Sequence, residues 1–371
     1  MVSESMVSKP KRILMAGNEA LAEAAVLAGM DAYFGYPITP QNEITAYMSK
    51  RMAEEGRVFI QSESELAAIN MVFGASATGK RAMTSSSSPG ISLMQEGISY
   101  LAGAELPAVV VNVMRGGPGL GNIAPSQGDY FQATKGGGHG DYRNIVLGPA
   151  TVQEIVDCMP LAFDLADQYR MTTMVLVDGA LGQMMEPVEF KPAAQIAGRK
   201  IEVRKVPAKD WALTGAEGRE QRIVRSLWLK DGALEQLNYR LQEKYRLVEK
   251  NEVICEQYKV DDSDIVLVAY GIAARISRAA VNKARQNGIK AGLIRPVTLW
   301  PFPTEQINRA AEQFRIFLTV ELSCGQMVED VKLAAAGKSP VLFYGRSGGG
   351  IPTVEDVFEQ IRQLTFKEHR S

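Results

Sequence analysis

Stretches with apolar residues every three or four positions alternate along this chain with short continuous apolar runs, and turn residues separate the two. Residues 17–29 read as a first helix with Ala20, Leu21, Ala24, Ala25, Leu27 and Ala28 on one face and Gly29 closing it. A strand at 32–36 stops at Pro37 and Pro40, and a helix over 41–55 follows with Thr39 as its expected N-cap. Residues 58–60 give the next strand, 62–79 a helix of small and apolar residues, 82–85 a strand running into Ser, Pro and Gly, and 91–104 another helix. The Val-rich run 108–114 carries no polar alternation except Asn112, the pattern of a strand covered on both faces. After a long glycine-rich segment come a strand at 145–147, a helix over 152–169 and a strand at 172–177 ending on Asp178. Strands alternating with helices of this length predict an open, mostly parallel α/β sheet.

Residues 187–260 break the rhythm. The helix expected over 234–250 is charged, with Leu234, Leu237, Leu241, Tyr245 and Val248 as its apolar stripe. A solvated arm is the simpler expectation for it, and packing on a partner the alternative. The α/β rhythm returns at 264–271 and continues through helices expected over 273–287, 304–313 and 326–336 and strands at 291–294, 315–320 and 341–344. The expected organisation is a first α/β domain at 1–190, a linker with a helical arm at 191–260 and a second α/β domain at 261–371.

Composition narrows the classes of function. Of 371 residues, 46% are apolar and 22% charged, with a net charge of −1, so neither nucleic acid nor an anionic membrane is an expected partner. No apolar run reaches the roughly 20 residues of a membrane span, and the polar N-terminus at 1–12 lacks a signal-peptide core. Cys158, Cys255 and Cys324 are scattered without a CxxC pair, and the two histidines, His139 and His369, are far apart. Neither an iron–sulfur cluster nor a zinc site is expected from this chain alone, and a reducing cytoplasm suits it.

Several residues carry candidate chemistry, each with a plainer alternative. Ser62 and Glu65 have capping-box spacing, with Ser62 as N-cap, which is the plainer expectation; a carboxylate at the edge of a cofactor pocket is the alternative for Glu65. Thr39 lies between two rigid prolines and is either a cap or a ligand-holding hydroxyl. Arg115 closes the 108–114 strand at its carboxyl end, where open α/β sheets bind ligands, and offers a fork for a carboxylate; an ordinary surface arginine is the plainer alternative. The glycines around His139 predict close backbone approach to a ligand, or only a loop. Gly74–Lys80 resembles a phosphate loop, but Arg81 stands where Ser or Thr is needed and the run ends a helix, so Gly79 reads as a C-cap. Gly119-Leu120-Gly121-Asn122-Ile123-Ala124 fits a dinucleotide fingerprint but has no helix after it, and an active-site loop is the better expectation.

Taken in order, Gly35-Tyr36-Pro37-Ile38-Thr39-Pro40, Glu63-Ser64-Glu65-Leu66-Ala67-Ala68, Thr84 to Gly90 and Arg115-Gly116-Gly117-Pro118 resemble the 2-oxoacid:ferredoxin oxidoreductases. The resemblance covers nearly the whole chain. It is to the subunit with a thiamine-diphosphate pyrimidine-binding domain followed by a transketolase C-terminal-like domain. The segments 136–143 and 213–250 are most similar to the branched-chain (2-oxoisovalerate) branch, with the 2-oxoglutarate branch second.

The resemblance implies that Glu65 hydrogen-bonds the cofactor's aminopyrimidine and drives the tautomer that makes thiamine diphosphate a nucleophile. Glu65 is preferred to Glu63 for its nine-residue spacing from Gly74. It further implies that Thr39 and Arg115 meet the 2-oxoacid, and that Tyr36, Pro37, Ile38 and Ser88 lie against the cofactor. Electrons would leave singly through [4Fe-4S] clusters to ferredoxin, and coenzyme A would accept the acyl group. No Gly-Asp-Gly triplet occurs in the chain. Diphosphate, Mg2+ and clusters are therefore expected on partners: a beta-type subunit, a ferredoxin-like iron–sulfur subunit and a gamma-type subunit, with self-association in the complex. A non-catalytic assembly subunit is the alternative from a different class.

Overall fold

The computed structural model describes residues 12–191, 195–202, 204–313 and 315–368, with side chains through Thr365. The polar start of the chain at 1–11 and His369 lie outside the described residues.

Six strands of the first half and one from the second build a seven-stranded sheet in the order Thr298–Trp300, Ile145–Leu147, Thr172–Asp178, Ala108–Met114, Ala82–Ser86, Ala32–Gly35 and Val58–Gln61. All neighbours are parallel except the first pair, in which Thr298 faces Leu147. Helices Glu65–Ala77 and Ser88–Gly103 pack together, as do Gly17–Leu27 and Val152–Tyr169. Ala108–Met114 is buried at every position between these layers, as its unbroken apolar run predicts. The two prolines after Ala32–Gly35 end that strand, and the serines after Met83 follow the sheet's carboxyl edge into a helix.

A five-stranded sheet follows in the order Cys255–Tyr258, Ala291–Pro296, Ile265–Val268, Ile316–Glu321 and Val341–Gly345, parallel except at Cys255–Tyr258. Helices Gly271–Gln286 and Val354–Glu368 pack together, as do Thr304–Ala311 and Met327–Ala335. Its edge strand aside, the α/β expectation holds for both sheets.

The helix Ala233–Asn251 corrects one expectation. Its stripe is not solvated: Leu237, Leu241, Tyr245 and Val248 are buried, and Tyr245 meets Trp300 edge-on at 5.8 Å. Only Leu234 of the five stays exposed. Lys244 adds an ion pair to Glu105 at 2.7 Å, so the helix is stapled to the first half of its own chain.

The carboxyl ends of both sheets meet along one seam. Gln127 is fully buried there; its N–H donates to Leu322 O at 2.9 Å, its Oε1 accepts from Leu322 N at 3.0 Å, and its Nε2 donates to Tyr270 O at 3.0 Å. Asp178 Oδ2 accepts from Ile272 N at 2.8 Å, and Tyr130 donates to Asp330 Oδ2 at 2.6 Å. Burial pushes the Asp178 carboxyl up to about 6 against the pull of these hydrogen bonds. Buried Glu321 closes the other side by accepting from the N–H groups of Gln326, Met327 and Val328 at the start of helix Met327–Ala335.

Candidate functional site

Glu65 opens the helix Glu65–Ala77, but the cap is one step removed from the expected one. Ser64, with extended backbone, is the N-cap, and its hydroxyl accepts from Ala67 N at 3.2 Å. Ser62 instead donates to Ser64 O at 2.9 Å and Gly35 O at 3.3 Å, which ties the turn to the neighbouring strand. Glu65 is thus the first helical residue and takes no part in a capping box. Its carboxylate is 4% exposed and accepts one hydrogen bond among the described residues, from Ser86 Oγ at 3.3 Å. The space it occupies depends on Gly90, because a Cβ there would stand 2.0 Å from Ser86 Oγ and 2.3 Å from Glu65 Oε1.

Thr39 is no cap either: Gln41 precedes the helix Asn42–Glu54, and Thr39 Oγ1 accepts from Asn42 Nδ2 at 3.3 Å. The loop holding Tyr36, Pro37, Ile38 and Thr39 is set from beneath by a buried chain of polar groups. Tyr33 bonds Ser85 at 2.7 Å, Ser85 donates to Gln41 Oε1 at 2.7 Å, and Gln41 Nε2 donates to Tyr36 O at 3.0 Å. Tyr36 and Pro37 are exposed above it, and Ile38 is half-buried.

Arg115 lies just past Ala108–Met114, only 7% exposed. Its guanidinium donates to Thr39 O at 2.9 Å and Leu120 O at 3.1 Å, while Nε has no partner among the described residues. The structure therefore brings Arg115 and Thr39 together. The segment after Arg115 folds back as a loop, with Gly116 N bonded to Ala124 O at 3.0 Å and Leu120 largely exposed at its tip. Gly121 makes the fold-back possible: its φ is +60°, and a Cβ would stand 1.7 Å from Gly116 O.

Ser88 Oγ lies 2.5 Å from Asp129 Oδ2 and 3.0 Å from Arg115 N, so its hydroxyl is turned into the protein. Asn112 completes this cluster: Oδ1 accepts from Ser88 N at 3.1 Å and Nδ2 donates to Asp129 Oδ2 at 2.9 Å. Burial raises the Asp129 carboxyl, against both hydrogen bonds. Ser86 and Gly90 lie in the Thr84–Gly90 motif without having been singled out, and Asn112 and Asp129 carried no local signal, since each matters through a residue distant in sequence.

The glycines around His139 approach protein, not an open site. A Cβ on Gly137 would stand 2.5 Å from Gln95 Oε1, Gly138 N donates to Tyr142 OH at 2.9 Å, and His139 O accepts from Ser99 Oγ at 2.6 Å. These glycines let the loop lie on helix Ser88–Gly103. Gly79, with φ +85°, follows the C-cap of helix Glu65–Ala77, so Gly74–Lys80 is a helix end and not a phosphate loop.

Residues 23–221 match the family model described as "Pyruvate flavodoxin/ferredoxin oxidoreductase, thiamine diP-bdg", and 263–357 match "Pyruvate:ferredoxin oxidoreductase core domain II". The chain is 52% identical to the ketoisovalerate oxidoreductase subunit VorB of Methanothermobacter marburgensis, over 95% of this chain and 97% of that one. It belongs to the 2-oxoacid:ferredoxin oxidoreductases. Within this family it is 37% identical to the 2-oxoglutarate synthase subunit KorA of the same organism, over 93% and 97% of the two chains. A solved 2-oxoglutarate:ferredoxin oxidoreductase from Magnetococcus marinus, with 2-oxoglutarate, coenzyme A and succinyl-CoA bound, superposes with a TM-score of 0.83 at 26% identity. That match takes in 96% of this chain and 66% of the solved one. A split-gene transketolase, at 14% identity and a TM-score of 0.56, shares the fold alone.

The residues present suit the thiamine cofactor that the family model names. A buried carboxylate with unused acceptor capacity, a glycine that leaves it room, and buried Ser87 Oγ and Arg115 Nε, which have no partner among the described residues, all occur where the strands end. A 2-oxoacid:ferredoxin oxidoreductase subunit of this kind works within a multisubunit enzyme.

Proposed function

We propose that this chain is the pyrimidine-side subunit of an enzyme that oxidatively decarboxylates a branched-chain 2-oxoacid, 3-methyl-2-oxobutanoate, with coenzyme A and ferredoxin. The products are the acyl-CoA, CO2 and reduced ferredoxin. The observation that carries the substrate is the 52% identity to a ketoisovalerate oxidoreductase subunit, against 37% to a 2-oxoglutarate synthase subunit of the same organism.

Bound thiamine diphosphate supplies the nucleophilic carbon and the electron sink for decarboxylation. Glu65 holds a proton between its carboxylate and the pyrimidine ring, in a seat dry enough to strengthen that hydrogen bond. The substrate's carboxylate and carbonyl are oriented by Thr39 and by the donors that Arg115 keeps free. Tyr36, Pro37 and Ile38 line the cofactor's flank, and Ser88 supports it from below through Arg115. Residues 1–190 form the cofactor half and 261–371 the second domain, with 191–260 joining them.

The rest of the site comes from other chains. With no Gly-Asp-Gly and three isolated cysteines, diphosphate and Mg2+ are held by a beta-type subunit and the [4Fe-4S] clusters by a ferredoxin-like one. A gamma-type subunit and a second copy of the assembly complete the particle. Among the described residues no helix is long and apolar enough to cross a membrane, and the free cysteines suit a cytoplasmic complex.

The test is ferredoxin reduction by the co-purified complex with a panel of 2-oxoacids and coenzyme A. Fastest turnover of 3-methyl-2-oxobutanoate is the expected result. Preference for 2-oxoglutarate would move the protein to the other branch. Failure with every 2-oxoacid, or full activity with Glu65→Ala, would leave only an assembly role.

A further inference from the structure

The cluster beneath Arg115 places one charged residue in a controlling position. Ser88 Oγ has a single proton and three polar neighbours: Asp129 Oδ2 at 2.5 Å, Arg115 N at 3.0 Å and Arg115 O at 3.2 Å. The Arg115 N–H donates to the hydroxyl oxygen. The hydroxyl proton goes to the carboxylate, which is both nearer and charged. The same carboxylate oxygen accepts from Asn112 Nδ2, and Asn112 Oδ1 accepts from Ser88 N. Asp129 thus joins Asn112 near the carboxyl end of strand Ala108–Met114, the first residue of helix Ser88–Gly103 and, through Ser88, the main chain at Arg115. None of these links reaches the guanidinium directly, but each limits where its Cα can sit.

We infer that Asp129 is a positioning residue for the 2-oxoacid: through Ser88 and Asn112 it fixes the backbone from which Arg115 reaches the substrate carboxylate. This inference rests on the assignment of Arg115 to the substrate. Asp129 is half-buried, has no cation among its hydrogen-bond partners, and its carboxyl is raised by desolvation. A carboxylate kept in such a place is costly unless both of its hydrogen bonds are retained.

The experiment measures KM and kcat for the 2-oxoacid with the whole complex carrying Asp129→Ala, Asp129→Asn, Ser88→Ala or Arg115→Lys. Asp129→Ala is expected to raise KM about tenfold, the scale of a small misplacement of a binding group, with kcat held within about threefold. Asp129→Asn can keep its carbonyl oxygen at the shared acceptor position and should recover most of the affinity. Ser88→Ala cuts the link while leaving the carboxylate, and should raise KM like Asp129→Ala, which keeps the test open if the latter does not assemble. The inference is overturned if Arg115→Lys raises KM while Asp129→Ala and Ser88→Ala do not, or if they lower kcat alone. An Arg115→Lys enzyme with unchanged KM overturns the assignment of Arg115 itself, and this inference with it.

Discussion

Replacing Gly90 with alanine isolates the seat of Glu65 without touching the carboxylate. The new Cβ would stand 2.3 Å from Glu65 Oε1, and an ordinary contact begins at 3.4 Å, so the two must separate by about 1.1 Å (3.4 − 2.3). Ser86 Oγ, at 2.0 Å, must move as well. Gly90 is in a helix and has ordinary helical backbone, so alanine gains up to about 1 kcal/mol of helix propensity. Overpacking opposes this by about 1–3 kcal/mol, leaving a net destabilisation of about 0–2 kcal/mol. Activity should fall much further. A displacement of about 1 Å in a catalytic group costs on the order of 100-fold, which is about 2.7 kcal/mol of barrier. Ferredoxin-dependent oxidation by the assembled complex reads this, with thermal melting recorded alongside. Gly74→Ala is the control: it lies on Glu65's own helix, a Cβ there meets nothing within 4 Å, and it should leave the rate unchanged. If Gly90→Ala keeps activity within about threefold of the parent, or Gly74→Ala loses as much, the steric account of the Glu65 seat is wrong.

Three further outcomes follow from the geometry. Ser64→Ala should cost about 1 kcal/mol in denaturant unfolding, whereas a similar cost from Ser62→Ala could come only from its links to Gly35 and Ser64. Gln127→Ala leaves Leu322 N without its partner and takes one of two donors from Tyr270 O, which keeps Ala274 N, and should destabilise by about 1–3 kcal/mol, seen as faster hydrogen exchange at Leu322 and along helix Gly271–Gln286; unchanged exchange there would refute the seam's role. Asp178, raised to about 6 by burial, binds its proton more tightly folded than unfolded. Its neutral form therefore contributes stability that is present below about pH 4 and lost as pH rises through about 6, on the order of 2–3 kcal/mol. The difference between parent and Asp178→Asn unfolding curves should show that slope, and a flat difference from pH 4 to 7 would exclude it.

How much was legible in the sequence depended on how local the cause is. Ala108–Met114 and Val152–Tyr169 appear at their expected bounds, because an unbroken apolar run and a long amphipathic period are decided within the segment. The ordered motifs pointed to the family, although each is weak by itself. Ser62 and Ser64 are two residues apart and chemically identical; only the end of strand Val58–Gln61 and the Gly35 carbonyl decide which one caps. The stripe on Ala233–Asn251 was visible, but not its partner, since Trp300 lies far along the chain. Helix Val354–Glu368 lies beyond the last expected strand, even though Thr353 and Asp356 form a reciprocal cap in front of it. Asp129 and Asn112 had no local pattern at all, because what they do is set by a serine and an arginine from other elements.

The strand Thr298–Trp300 gives the larger sheet a timetable. Ile145–Leu147 is an outer strand of that sheet until residue 298 arrives, some 150 positions later, to pair with it (298 − 147 = 151). During synthesis the sheet that carries Glu65 and Arg115 therefore waits with one unpaired apolar border while the helix Ala233–Asn251 and most of the second sheet are made. Any fragment cut between the two sheets keeps that border exposed, a ready template for pairing with another chain. The short strand flanked by prolines is what turns two sheets made in succession into one folding unit.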